Sequence, residues 1–165
     1  MLRMFDDFKE LLFVFNVHNV KYLIVGGYAV SFHAQPRATK DLDLFIKADP
    51  ANAHATYTAL ANFGETLDEI EEADLADPQK FLRFGREPIA VDILPGIDGV
   101  DFDEAWDRRV DGLIDERSGL VAHFISKRDL VASKIAAGRL RDLADVEEIR
   151  ESDASQSSGH KATEG

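Results

Sequence analysis

Two carboxylates, Asp41 and Asp43, stand at alternate positions in Asp41 to Ile46, with Leu42, Leu44 and Ile46 between and after them. Strict alternation reads as a strand, and residues two apart on a strand point to the same side. Their spacing matches that of ligands to two neighbouring metal ions. Aspartate is depleted in strands, so a pair on one face must be solvated, paired or metal-bound. Upstream, Gly26-Gly27 ends an apolar run and leaves backbone N–H groups open to an approaching phosphate. Asp92 lies within Ile89 to Leu94, an apolar stretch in which a lone carboxylate is costly to bury. A phosphate cradle and carboxylates that hold divalent cations are parts that phosphoryl transfer requires.

Each part alone has a plainer reading. A glycine pair is more often a turn than a phosphate site, and Asp-x-Asp recurs without function. The pair is not G-x-G-x-x-G, and no Walker lysine follows it, so dinucleotide-binding and P-loop readings fail. The ordered combination is what carries weight.

The surrounding pattern supplies elements to hold these residues. Apolar positions at Phe5, Phe8, Leu11, Leu12 and Phe15 predict an amphipathic helix over 3–18. Val20 to Val25 predicts a buried strand running into the glycine turn, and Tyr28 to Ala34 a short helix stopped near Pro36. Asp49 as N-cap and Pro50 at the first helical position open a helix to about Phe63. An acidic, irregular stretch at 65–77 reads as a loop or weak helix. Lys80 to Phe84 and Ile89 to Leu94 read as strands joined by a Gly85-Arg86-Glu87-Pro88 turn, hence antiparallel. A short helix over Phe102 to Arg109, a strand over Gly119 to Ile125 and a helix capped by Ser126 over Lys127 to Ala137 follow. A last helix spans roughly Leu140 to Arg150, and the polar composition from Ser152 onward predicts a disordered tail. Intermixed strands and helices predict an α/β or α+β domain over 1–150: a mixed, twisted sheet flanked by helices.

The chain of 165 residues fits one domain with a real core, and its net charge is −12, from 31 acidic and 19 basic residues. Such a field repels phosphate backbones and argues against binding extended DNA or RNA, while leaving room for a local basic cleft. Charges at Arg3, Asp6, Asp7, Lys9 and Glu10 exclude a signal-peptide core, and nowhere do roughly 18 apolar residues run together as a membrane span requires. The absence of cysteine removes disulfides and thiolate metal sites and is compatible with a cytoplasmic location.

The segment from Gly26 to Ile46 resembles the first motif of the polymerase-β-like nucleotidyltransferase superfamily: a glycine pair, a spacer, then Asp-x-Asp on a strand. Asp92 occupies the place of that family's third carboxylate. Lys134 and the run Arg139-Leu140-Arg141-Asp142-Leu143-Ala144-Asp145 are similar to C-terminal motifs of abortive-infection (AbiEii-like) and toxin–antitoxin members. The resemblance implies a nucleotidyltransferase fold with a two-metal Mg²⁺ site on Asp41, Asp43 and Asp92. It implies that Gly26 and Gly27 approach the triphosphate of an NTP. Lys134 would contact phosphates, Asp142 or Asp145 would orient that lysine or the base, and Asp92 would help deprotonate the acceptor hydroxyl. Gly27 stands where many members carry a serine.

Other readings stay open. Lys134, Arg139 and Arg141 could form a solvated helix face paired with Asp142, Asp145 or Glu148. Arg37 and Lys40 could attract the triphosphate or neutralise the aspartates. His33 lies near the glycines but is not a ligand set by itself. Phe5, Phe8, Phe13 and Phe15 read as core or a partner face. By resemblance the function expected is transfer of an NMP to a hydroxyl of a protein or RNA, ATP or another NTP being the donor, with a cognate toxin or antitoxin as possible partner. A non-catalytic antitoxin or regulatory module of the same fold, and adenylylation of a small antibiotic, are the alternatives.

Overall fold

The computed structural model describes residues 2–85 and 89–163. Among these described residues, six strands form one mixed sheet: β1 (Tyr22–Val25), β2 (Asp41–Ile46), β3 (Leu82–Phe84), β4 (Ala90–Leu94), β5 (Val110–Asp115) and β6 (Leu120–Phe124), in the order β3-β4-β2-β1-β6-β5. β1 runs antiparallel to β2 and parallel to β6, while β2 and β4 are parallel. β3 and β5 close the edges as antiparallel partners of β4 and β6.

β1 is buried at all four positions, as a central strand covered on both sides must be. Tyr22 and Ile24 join Leu42, Leu44 and Ile46 on one face, against Phe8, Leu11, Leu12 and Phe15 of α1 (Asp6–Val17) and Ala59 and Leu60 of α3 (Pro50–Phe63). Leu23, Val25 and Phe45 form the other face, with α2 (Gly26–His33), α4 (Phe102–Asp107), α5 (Lys127–Ala137) and α6 (Leu140–Thr163) contributing Val30, Phe102, Leu130 and Ile149. Each fully buried Leu, Ile or Phe contributes roughly 1.5–3 kcal/mol. Asp41 and Asp43, in phase with Phe45, therefore belong to the second face.

Local signals set the helix ends. Asp49 accepts from the Asn52 amide at 2.7 Å, Pro50 begins α3, and Gly64 ends it at φ 105°. Ser126 accepts from the Asp129 amide at 3.1 Å. Arg108 forks onto the Asp129 carboxylate at 2.8 and 3.0 Å, which ties α5 to the end of α4.

Several details differ from the sequence expectation. α2 begins at Gly26 itself, so the glycines are the first turn of a helix rather than a separate turn. β5 goes unpredicted. α6 continues to Thr163, past Arg150, and Lys127 pairs there with Asp153. Of the turn expected at 85–88, only Gly85 lies within the described residues. Phe8 and Phe15 are core, whereas Phe5 and Phe13 are exposed. No helix among the described residues is long and apolar enough to cross a membrane.

Candidate active site

Strand register brings the acidic residues together. Arg83 of β3 pairs with Asp92 of β4, Asp92 with Asp43 of β2, and Asp43 with Val25 of β1. One row of side chains thus crosses four strands and ends beside Gly26. Asp41 lies two residues from Asp43, on the same face. Burial, with a hydrogen bond shared with Asp92 and the charges of Asp92 and Asp41, pushes the Asp43 carboxyl up to about 7.

A pH dependence follows. The folded chain holds this proton from 3.8 up to about 7 while the unfolded chain has released it. Stability therefore falls as pH rises through that window, by an amount on the order of 2–4 kcal/mol. Urea unfolding of metal-free protein between pH 5 and pH 8 is expected to show this decline, and Asp43→Asn to flatten it. An equal slope in both proteins would disprove the assignment.

Gly26 is required twice over. Its φ is +68°, and a Cβ there would lie 2.1 Å from Oδ2 of Asp43. Gly26→Ala is expected to cost at least about 1–2 kcal/mol in the backbone alone and to push Asp43 out of its row. Thermal melting together with a crystal structure of the variant checks both effects. The start of α2 carries no side-chain cap, so its first amides are not taken by a capping side chain. At Gly27 a Cβ would meet Cγ2 of Thr39 at 2.8 Å and its Oγ1 at 3.4 Å. Thr39 thus fills the space a serine side chain would need at 27 and brings its own hydroxyl there, a substitution no local pattern announces.

Lys134 is buried, with Nζ 2.8 Å from Asp145 and 3.6 Å from Asp142. Arg139 binds Asp142 at 2.6 Å, and Arg37 reaches Asp145 at 2.8 Å from the loop before β2. Burial alone would raise both carboxyls, but these cations hold them below the usual carboxylate range. The salt-bridge reading is therefore realised for Lys134 and Arg139, but around a buried lysine rather than on a solvated face. Lys134 and Asp142 line the same cleft, of about 240 Å³, as Gly26 and Asp43.

Arg37 neutralises Asp145, not the strand aspartates. That task falls to Arg83, which the sequence reading misses: its Nη1 lies 2.8 Å from Asp92 and its Nη2 3.2 Å from Asp41. Among the described residues no three acidic or histidine side chains are gathered closely enough to hold an ion as they stand. The guanidinium lies against two of the three aspartates instead. Lys40 is exposed and borders a second cleft of about 670 Å³, walled mainly by apolar groups of Leu2, Met4, Phe5, Tyr28 and Pro36. Tyr28 donates to the Thr39 carbonyl at 3.1 Å, two residues before Asp41 in the chain. His33 donates from Nε2 to the Ile125 carbonyl at 2.7 Å, and burial lowers its pKa. That is a structural histidine.

The profile of a family described as a nucleotidyltransferase of unknown function (DUF6036) matches residues 1–154. The chain belongs to this family. Among solved structures, the DUF6036 chain is similar to the lincomycin-bound lincosamide antibiotic adenylyltransferase LnuA. The similarity has a TM-score of 0.51 at 14% identity and covers 91% of this chain and 98% of that one. At that identity the likeness establishes a shared nucleotidyltransferase fold. No protein of curated function matches the sequence.

Proposed function

We propose that this DUF6036 protein transfers a nucleoside monophosphate from an NTP to a hydroxyl, releasing pyrophosphate, with Asp41, Asp43 and Asp92 holding Mg²⁺. The observation that carries this reading is the register row that sets Asp43 and Asp92 side by side at the start of α2. Hard carboxylate oxygens are the donors that magnesium prefers. When bound, magnesium supplies charge neutralisation for the triphosphate and the developing transition-state charge.

The chain's own residues do the rest. The first amides of α2 meet phosphate oxygens where Gly26 and Gly27 leave no side chain in the way. Lys134, held between Asp142 and Asp145, presents an ammonium to the cleft that Asp43 borders. Asp92, between Arg83 and Asp43 in the row, takes the acceptor hydroxyl's proton. A buried lysine fixed by two carboxylates also fits the abortive-infection and toxin–antitoxin branch, in which a protein or RNA would be the acceptor.

The 670 Å³ cleft favours a second acceptor class. Its volume falls in the range of small-molecule sites, its wall is mostly apolar, and it opens beside the loop that leads into Asp41. The LnuA neighbour, by its description an antibiotic adenylyltransferase, is matched over nearly its whole length, so a chain of this size suffices for the fold of such an enzyme.

The test is incubation with each α-labelled NTP and Mg²⁺ in the presence of total RNA, extract protein or a panel of hydroxylated antibiotics. Label transferred to one of these, and abolished by EDTA, is the expected result. Calorimetry that finds no binding of any Mg²⁺–NTP would instead favour a non-catalytic protein-binding module.

A further inference from the structure

Leu82 and Phe84 pack against the α1–α3 core, so the pleat sends Arg83 to the opposite face of β3, toward the row of aspartates. There its guanidinium is fixed by geometry. Nη1 donates to both oxygens of Asp92, at 2.8 and 3.1 Å, and Nη2 to Oδ2 of Asp41 at 3.2 Å. The Arg83 side chain is about half exposed while Asp92 is mostly covered, so the fork reaches in from the rim. Arginine keeps its charge at any working pH and sheds water more readily than an ammonium does.

We propose that Arg83 is the resident counter-cation of the metal-free site, and that a divalent ion must displace it from Asp41 and Asp92 in order to bind. This rests on the reading of those carboxylates as metal ligands. Without Arg83, no other cation among the described residues is paired with these three carboxylates, and such a site takes up a divalent ion more readily. With it, ion binding exchanges one cation for another. The displaced fork remains tethered within a side chain's length of the row, so it returns when the ion departs. The site is thereby built for weak, reversible loading in the absence of nucleotide.

Titration calorimetry with Mn²⁺ alone, without nucleotide, tests this on the wild-type chain, Arg83→Gln and Arg83→Lys. Arg83→Gln is expected to bind Mn²⁺ about tenfold more tightly than wild type. Arg83→Lys keeps the charge but loses the fork, and should fall between. The rise in thermal midpoint on adding Mn²⁺ is expected to be largest for Arg83→Gln. Should that variant not fold, tighter binding by Arg83→Lys supports the proposal and equal binding overturns it. Equal or weaker binding by Arg83→Gln, with clear binding by wild type, overturns the proposal and leaves the metal reading standing. Absence of Mn²⁺ binding in every protein overturns both. Tighter binding that persists when Asp41→Asn and Asp43→Asn are added to Arg83→Gln places the ion elsewhere and overturns the proposal as well.

Discussion

Asparagine at both Asp41 and Asp43 is expected to abolish transfer of label from an α-labelled NTP, by at least about a thousandfold, in a chain that melts no earlier than wild type. The two halves of this result have separate causes. Asparagine keeps the shape and burial of each side chain but cannot supply an anionic oxygen to a divalent ion. A thousandfold loss corresponds to about 4 kcal/mol of transition-state stabilisation. Folding, in contrast, gains from the change. Asp43 is half-buried beside Asp92 and close to Asp41, and its ionisation at neutral pH works against the fold. Removing two like charges relieves that repulsion, while Arg83 keeps both its bonds to Asp92. A merely structural role for the pair predicts the reverse pattern, with a lower melting point and transfer intact. Unchanged labelling in the double variant would sink the assignment. An activity-linked cluster that costs stability is what a site under functional selection shows.

What the sequence makes legible divides by range. The strand from Asp41 to Ile46 and the helices opened by Asp49-Pro50 and Ser126 are found where expected, because alternation and capping are local codes. The mixed sheet follows from the order of those elements. Arg83 escapes notice because its role depends on the register of β3 against β4, and nothing in Leu82-Arg83-Phe84 itself marks the arginine as special. Arg37 has a plausible local reading next to Lys40 and Asp41. Its actual partner, Asp145, is 108 residues away, a pairing fixed only when α6 packs near the loop before β2. β5 is an edge strand that begins and ends with exposed or acidic residues and holds Gly112 at its centre, so its alternation is too weak to read. Gly112 itself is explained by packing: a Cβ there would strike the Phe32 ring, which stacks on Phe124. Thr39 is the same lesson at small scale, since its methyl occupies the space beside Gly27 only after the loop folds back.

Lys134→Met carries the other large expected effect, because it acts on stability and on the cleft together. The lysine side chain is about one-tenth exposed, and its two partners, Asp142 and Asp145, are similarly covered. Removing one member of a buried ion pair leaves a charge uncompensated, which costs about 3–5 kcal/mol. Here each aspartate retains an arginine, Arg139 on Asp142 and Arg37 on Asp145, so the loss is expected near the lower end, about 3 kcal/mol. Urea unfolding at pH 7 reads it directly. The double variant Lys134→Met with Asp145→Asn should recover a substantial part, since it removes the stranded charge as well. If the network were only a brace, transfer would recover along with stability. A lysine that meets phosphate predicts instead that the double variant folds well, binds Mg²⁺–NTP weakly and stays inactive. Calorimetric nucleotide affinity measured beside the unfolding midpoint separates the two, and recovery of both would confine Lys134 to holding α5 against α6.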